Sequence, residues 1–372
     1  MICPALRKKA PSHGTARRAG KAPELLEVWA WVQDKPHVYS RLKGFIGYRF
    51  RYISTFYVMT GKILVIRDGA IGDFILTLPA IRLLRQAFPD AQVDILGRYP
   101  IVRLVEERYY AEHTRSIDAA PLAGFFHSNA ELDSTWCNYF AGFQKVLSYL
   151  HDPDETFVQN LRRAGVKEPI ISGSPKIKPG LHAAYQLAQP LESLGLFLKD
   201  PAPCLFPSEA DQRALCDLFI LRGIRKQTPF IAVHPGSGGK YKNWPLSYWE
   251  DFCHWILQNF PQYSLFCVGG EADVSSIRHL FKRLHSSRLT FLENLPLPSL
   301  AALLSKAHAF VGHDTGVSHI AAAAGARCLL LYGPTDPKTW APTSPCVRVL
   351  TSPTGIMEDL SIQTVLQAFD FL

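Results

Sequence analysis

The stretch KILVIRDGAIGDFILTLPAIRLLRQAFPDAQVDIL (62–96) decides the fold. It opens with KILVIR (62–67), a short continuous apolar run of the kind buried in a parallel sheet. DFILTLPAIRLLRQAF (73–88) then carries helical periodicity. Pro79 is expected to kink that helix or end its first part, because proline lacks an N–H and its ring clashes with the preceding turn. VDIL (93–96) reads as the next strand. Strand, glycine turn, helix and strand in that order describe a right-handed βαβ unit.

The pattern repeats outward from there. KVLSYL (145–150) is a later strand, followed by a helix through VQNLRRAG (158–165); 110–143 has weak periodicity and many aromatics and takes no assignment. A second cycle begins near Pro229. Its strands are FIAVH (230–234), SLFCVGG (264–270), SRLTFLE (287–293), AHAFVGHD (307–314) and ARCLLLYG (326–333), with helical runs between them. Two such cycles imply an α/β fold of two Rossmann-like domains with parallel sheets. The Pro-rich DPAPCLFPSE (200–209) is the candidate linker. The expected boundaries are 59–204 for the first domain, 205–354 for the second and 355–372 for a terminal helix packing back on the first. In such sheets ligands sit beyond the carboxyl ends of the strands, so the loops there carry the functional reading.

Composition excludes several classes. The net charge of +8 looks like a nucleic-acid or membrane signal, but residues 1–58 hold eleven Lys/Arg against three acids, the whole of the excess. The remainder carries 29 of each sign, so no nucleic-acid partner is expected. Residues 1–58 read as a disordered or non-native extension, with a membrane-surface segment as the alternative, since aromatics mixed with Arg in GFIGYRFRYISTFYV suit an interface. The eight cysteines form no CxxC pair or zinc spacing, which points to a reducing compartment. No apolar run reaches the roughly 18 residues of a spanning helix. Cytoplasmic placement is expected, with peripheral association at the inner face of the cytoplasmic membrane as its extension.

Three loops carry chemistry. In RDGAIGDF (67–74), Gly69 and Gly72 permit a tight turn, and Asp73 is either a helix cap or a general base facing a cleft. The two roles compete, because a carboxylate accepting backbone N–H bonds is a weaker base. In HPGSGGKYKNWP (234–245), the glycines, Gly238 among them, and Ser237 offer N–H groups and a hydroxyl to phosphate oxygens, and Lys240 and Lys242 add positive charge. In VGHDTGVSHIAAAAG (311–325), Asp314, Thr315 and Gly316 precede a small-residue helix whose start suits a diphosphate, and His319 lies one turn in. VGGE (268–271) places Glu271 to accept hydrogen bonds from a ribose, and LYGPTDP (331–337) is a further strand-end turn. Neither GxGxxG nor GxxxxGK[ST] is present, which disfavours a nicotinamide oxidoreductase and a Walker loop. Asp152-Pro153-Asp154 spells a metal–diphosphate DxD, but its setting reads as a helix start with Pro at the first position.

In order and spacing these segments resemble glycosyltransferase family 9, the heptosyltransferase family, from about Lys62 to the C-terminus. The resemblance implies a GT-B fold, with the acceptor on the first domain and the nucleotide sugar on the second across an interdomain cleft. It implies inverting, metal-independent transfer of heptose from ADP-heptose to a lipopolysaccharide core or related glycan, with the sugar nucleotide as substrate and no cofactor. Asp73 matches the family's proposed base and Lys242 its phosphate-contacting lysine. Glu271, Asp314, Thr315, Gly316 and His319 match its donor-binding positions. The chain departs from the family at Asp68-Gly69, where Ser-Ser or similar is usual, and this leaves Asp68 or Asp73 open as the base. A sugar-nucleotide epimerase on the same fold and a non-catalytic sugar-nucleotide-binding protein remain as alternatives.

Overall fold

A computed structural model describes residues 61–167, 169–224, 229–270 and 273–370. The readings made for residues 1–58 fall outside them.

Among the described residues, the strands form two wholly parallel sheets. β1 (Lys62–Arg67), β2 (Gln92–Gly97), β3 (His113–Ser116), β4 (Lys145–Ser148) and β5 (Ile170–Ser172) lie in the order β3-β2-β1-β4-β5. β6 (Phe230–His234), β7 (Ser264–Gly269), β8 (Leu289–Glu293), β9 (Ala309–His313), β10 (Cys328–Tyr332) and β11 (Val347–Thr351) lie in the order β11-β10-β9-β6-β7-β8. Each sheet reverses direction beside its first strand, between β1 and β4 and between β6 and β9. Such a reversal opens a crevice at the carboxyl ends, where ligands of this architecture sit. The register pairs His234 with Gly312, so the loops leaving β6 and β9 start side by side.

Burial explains the run-like strands. In β1 every residue after Lys62 is buried, as expected of a strand covered on both faces. One core gathers Leu64, Ile66, Phe125, Trp136, Phe140 and Phe157; another gathers Ile231, Val233, Trp244, Trp249, Phe252 and Leu329. The aromatics of 110–143 supply much of the first. They sit on a 3-10 turn (Ala120–Phe126) and a helix (Ser134–Ala141) too short to show a clear period in sequence.

Three expectations are corrected. No part of the helix Ile71–Ala87 ends at Pro79, which lies inside it. An interior proline costs about 3 kcal/mol. Here the helix is held by packing on the Gly316–Ala323 and Ala183–Ala188 helices, and Pro79 itself is buried. The terminal helix Ile362–Phe369 is built into the second core instead of returning to the first domain: Phe369 meets Phe252 edge-on at 5.5 Å and packs near Trp255. At the DxD decoy Pro153 is not the first helical residue. The Asp152 carboxylate instead accepts the N–H groups of Phe157 (3.1 Å) and Val158 (3.0 Å) at the start of Thr156–Arg163, so this acid is a helix cap.

Candidate functional site

The first loop turns β1 into the Ile71–Ala87 helix with Ala70 at the N-cap, so Asp73 is the third helical residue. Its Oδ2 accepts the Ala70 N–H at 3.1 Å. Its Oδ1 keeps only the Arg67 Nη2 at 3.9 Å among the described residues. Asp73 therefore caps with one oxygen and leaves the other unspent, on a side chain 32% exposed. Behind it, buried Arg67 donates from Nε to Thr77 Oγ1 (3.0 Å), and Thr77 donates to the Asp73 carbonyl (2.8 Å). Arg67 Nη2 is buried without a hydrogen-bond partner among the described residues. Asp68 is differently placed. Its Oδ1 accepts Gly69 N–H (2.7 Å) and Arg98 Nε–H (2.6 Å). Burial works to raise the Asp68 pKa, but those two bonds overcome it and hold the carboxyl below its ordinary value.

The loop after β6 is braced by buried side chains. His313, at the end of β9, accepts Trp244 N–H (2.9 Å) and Trp249 Nε1–H (3.3 Å) on Nε2 and donates from Nδ1 to the Gly236 carbonyl (3.2 Å). Burial pushes its pKa down to about 3, so it is a neutral strut tying loop to sheet. Gly236 is needed at its position, because a Cβ there would meet the Asp273 carboxylate at 2.0 Å. Ser237 spends its hydroxyl within the loop, donating to Gly239 O (2.7 Å).

The loop after β9 opens the helix Gly316–Ala323, with Thr315 as N-cap accepting from Ser318 N–H. The first N–H groups of a helix have no intrahelical acceptor, and they carry its positive dipole end. Beside them Lys242 Nζ donates to Asp314 Oδ2 at 2.7 Å. An ammonium has three N–H donors, so this pair leaves others free. Burial works to raise the Asp314 pKa, but His319 and Lys242 outweigh it and hold the carboxyl far below its ordinary value. His319 Nε2 lies 3.9 Å from Asp314 Oδ1, and its Nδ1 is buried without a hydrogen-bond partner among the described residues. A Cβ on Gly316 would lie 2.5 Å from Ile71 Cβ, so glycine there lets the two helix starts touch.

Two adjoining cavities result. One, of about 530 Å³, brings together Gly72, Asp73, Lys242, Asp314, Thr315, Gly316 and His319. The other, of about 660 Å³, holds Ser237 and Gly238 against Val268, Leu292, Leu297 and Leu300, and shares Thr315 and Gly316 with the first. Lys240 and Asp68 line neither, and Glu271 lies outside the described residues. Several lining residues were not singled out from sequence. Tyr241, Trp340 and Asp336 line the first cavity, and Asn294 and Asp273 line the second. Asp336 sat in the strand-end turn LYGPTDP, where it caps the Pro337–Trp340 turn by accepting Lys338 N–H at 3.0 Å. Asp273 carried no signal at all, since only the fold brings it to His234.

Such a chamber can hold a nucleoside diphosphate. Its apolar end suits a flat base, its middle offers N–H groups and an ammonium to a diphosphate, and its far end presents a carboxylate. The family model for glycosyltransferase family 9 (heptosyltransferase) matches residues 126–369. Lipopolysaccharide heptosyltransferase 2 of Salmonella typhimurium is 25% identical over 315 residues, which cover 79% of this chain and 89% of that protein. Among solved structures, a glycosyl transferase family 9 protein from Veillonella parvula superposes with a TM-score of 0.70 at 17% identity, covering 84% of this chain and 96% of that one. E. coli ADP-heptose lps heptosyltransferase II gives 0.67 at 16% identity, covering 83% and 98%. These structures share the two-sheet GT-B fold expected from sequence.

Proposed function

The chain belongs to glycosyltransferase family 9, and from that premise we propose that it moves heptose from ADP-heptose onto a lipopolysaccharide-core or related glycan acceptor, with inversion and without a metal. The observation that carries this reading is the opposition of charges in one cavity. Asp73 lines one wall, and Lys242 with the Thr315–Gly316 helix start lines another.

The donor lies with adenine against Leu292, Leu297 and Leu300 and with its diphosphate at the Thr315–Gly316 turn that joins the cavities. Its sugar then enters the cavity that holds Asp73. Asp73 takes the proton of the acceptor hydroxyl as that oxygen forms its bond to the anomeric carbon. The bond from that carbon to the diphosphate breaks on the opposite face, through an oxocarbenium-like transition state. Lys242 and the helix start stabilise the charge that builds on the leaving diphosphate, the task a metal performs elsewhere. Asp314 and His319 orient the sugar side. Asp68, committed to Arg98 and Gly69, supports the loop and takes no proton. The first domain, residues 59–204, carries the acceptor, and the second, 205–354, the donor. Peripheral association with the inner face of the cytoplasmic membrane belongs to the same proposal, and no helix among the described residues is long and apolar enough to cross it.

The test is an assay with ADP-heptose and heptose-deficient core lipopolysaccharide, read by mass spectrometry and by the anomeric configuration of the product. Acceptor gains one heptose with inverted configuration, and EDTA leaves the rate unchanged. Release of free sugar at the same rate without acceptor, or retained configuration, contradicts the reading.

A further inference from the structure

Behind the shared Thr315–Gly316 turn, Asp273, His234 and Thr315 form a chain of contacts that the transfer reaction as described does not use. His234 Nε2 lies 3.1 Å from Asp273 Oδ2, and its Nδ1 lies 3.4 Å from Thr315 Oγ1. His234 and Asp273 are both buried. The Thr315 oxygen also accepts Ser318 N–H at 3.4 Å and lies 3.4 Å from Ser318 Oγ, whose own proton goes to the His313 carbonyl, so Ser318 Oγ competes with His234 and the phosphate for the Thr315 proton. Asp273 also takes Gly270 N–H at 3.4 Å, and Gly236 leaves the room for its carboxylate beside the loop.

The polarity of this chain decides what Thr315 can do. With His234 neutral, Nε2–H donates to Asp273, so Nδ1 is a bare acceptor and draws in the Thr315 hydroxyl proton. Thr315 then has nothing to donate to the cavity. A phosphate oxygen only accepts, so the hydroxyl and the anion face each other without a proton between them. With a second proton on His234, Nδ1–H donates to Thr315 Oγ1 and the hydroxyl proton turns outward to the phosphate. The imidazolium is then balanced by Asp273.

We propose that Asp273, His234 and Thr315 are a proton-coupled positioning relay, in which binding of the donor diphosphate draws a proton onto His234 and turns the Thr315 hydroxyl into a donor toward the phosphate. The inference rests on the placement of the diphosphate given above.

Other charged groups around His234 are accounted for among the described residues. His313, on the neighbouring strand β9, is buried and neutral, so it adds no opposing charge. Burial works to raise the Asp273 pKa, but the His234 contact overcomes it, so the carboxylate stays ionised and able to balance an imidazolium. Asp314, on the same loop as Thr315, is paired with Lys242. Linkage sets the sign: a proton taken up on binding makes affinity highest at low pH and weakens it as pH rises, by up to about tenfold per pH unit for one proton.

The experiment is calorimetric titration of the full chain with ADP-heptose, without acceptor, from pH 5.5 to 8.5 in buffers of different ionisation enthalpy. The heptose-substituted diphosphate has no group titrating in that range, so any proton taken up is the protein's. The unaltered protein is expected to take up a fraction of one proton, with Kd rising as pH rises. His234→Gln should abolish the uptake and flatten the profile, Asp273→Asn should do the same, and Thr315→Ser should keep both. The proton count on the unaltered protein stands even where a variant fails to fold. Binding with no proton taken up overturns the relay while leaving the donor site intact. Uptake that survives His234→Gln and vanishes in His319→Gln overturns it in favour of the other histidine of the cavity. No binding at any pH removes the donor placement and the relay together.

Discussion

The two helix starts that touch across the cavity use one backbone device with opposite chemistry. The Ile71–Ala87 helix begins after an alanine and is capped from within by Asp73, its own acid at the dipole's positive end. The Gly316–Ala323 helix begins after Thr315, and its nearest acid, Asp314, is already matched to Lys242. The first start fills its anion site with a side chain. The second neutralises its own acid, spends the Ser318 N–H on its Thr315 cap and leaves the N–H groups ahead of Ser318 for an anion that arrives. On the proposed reading, one wall supplies the base and the other the place for the leaving group.

The largest expected effect breaks that division at its base. Asn at position 73 keeps a carbonyl oxygen for the Ala70 N–H but cannot take a proton. Asp73→Asn should cut transfer by about 10²–10⁴-fold, the range for a positioned general base, with the Kd for ADP-heptose within about twofold. Equal losses of rate and binding would place Asp73 with the donor instead. Next is Lys242→Ala. It removes a charge-assisted contact worth about 1.5–3 kcal/mol, so donor affinity should fall by about 10- to 100-fold in calorimetry. An unchanged Kd would take the diphosphate away from this wall.

A smaller effect separates the walls by acid. The Asp314 carboxyl in the folded chain titrates below its ordinary value of 3.8. Its contribution to stability is therefore fully present above about pH 4 and is lost as pH falls through the lower folded value. Urea unfolding should show Asp314→Asn to be less stable than the unaltered chain at pH 7 and to lose less on going to pH 2. The smallest effect is on the first wall. The Asp68–Arg98 pair has side chains 42% and 54% exposed. Such pairs contribute about 0–1 kcal/mol, so Asp68→Asn should leave melting temperature and transfer rate nearly unchanged. A loss as deep as that of Asp73→Asn would make Asp68 the base.

What could be read in sequence was local. A strand, a glycine-bearing turn and a helix occupy consecutive residues, so the loops at 67–74, 234–245 and 311–325 announced themselves, and family resemblance singled out Asp73, Lys242 and Asp314 within them. What could not be read was long-range or carried by packing. Asp273 reaches His234 across 39 residues of chain. His313 drew no reading of its own in the sequence and is a buried strut. Pro79 obeyed its tertiary neighbours over its own preference, and Trp340 enters the cavity from a single-turn helix with no period to detect.

The most direct measurement is a crystal structure of the Asp73→Asn protein with intact ADP-heptose. The account predicts the diphosphate within hydrogen-bond reach of the Thr315–Gly316 turn and Lys242, adenine against Leu297 and Leu300, and the anomeric carbon facing residue 73. A nucleotide bound elsewhere, or a sugar turned away from residue 73, would contradict it.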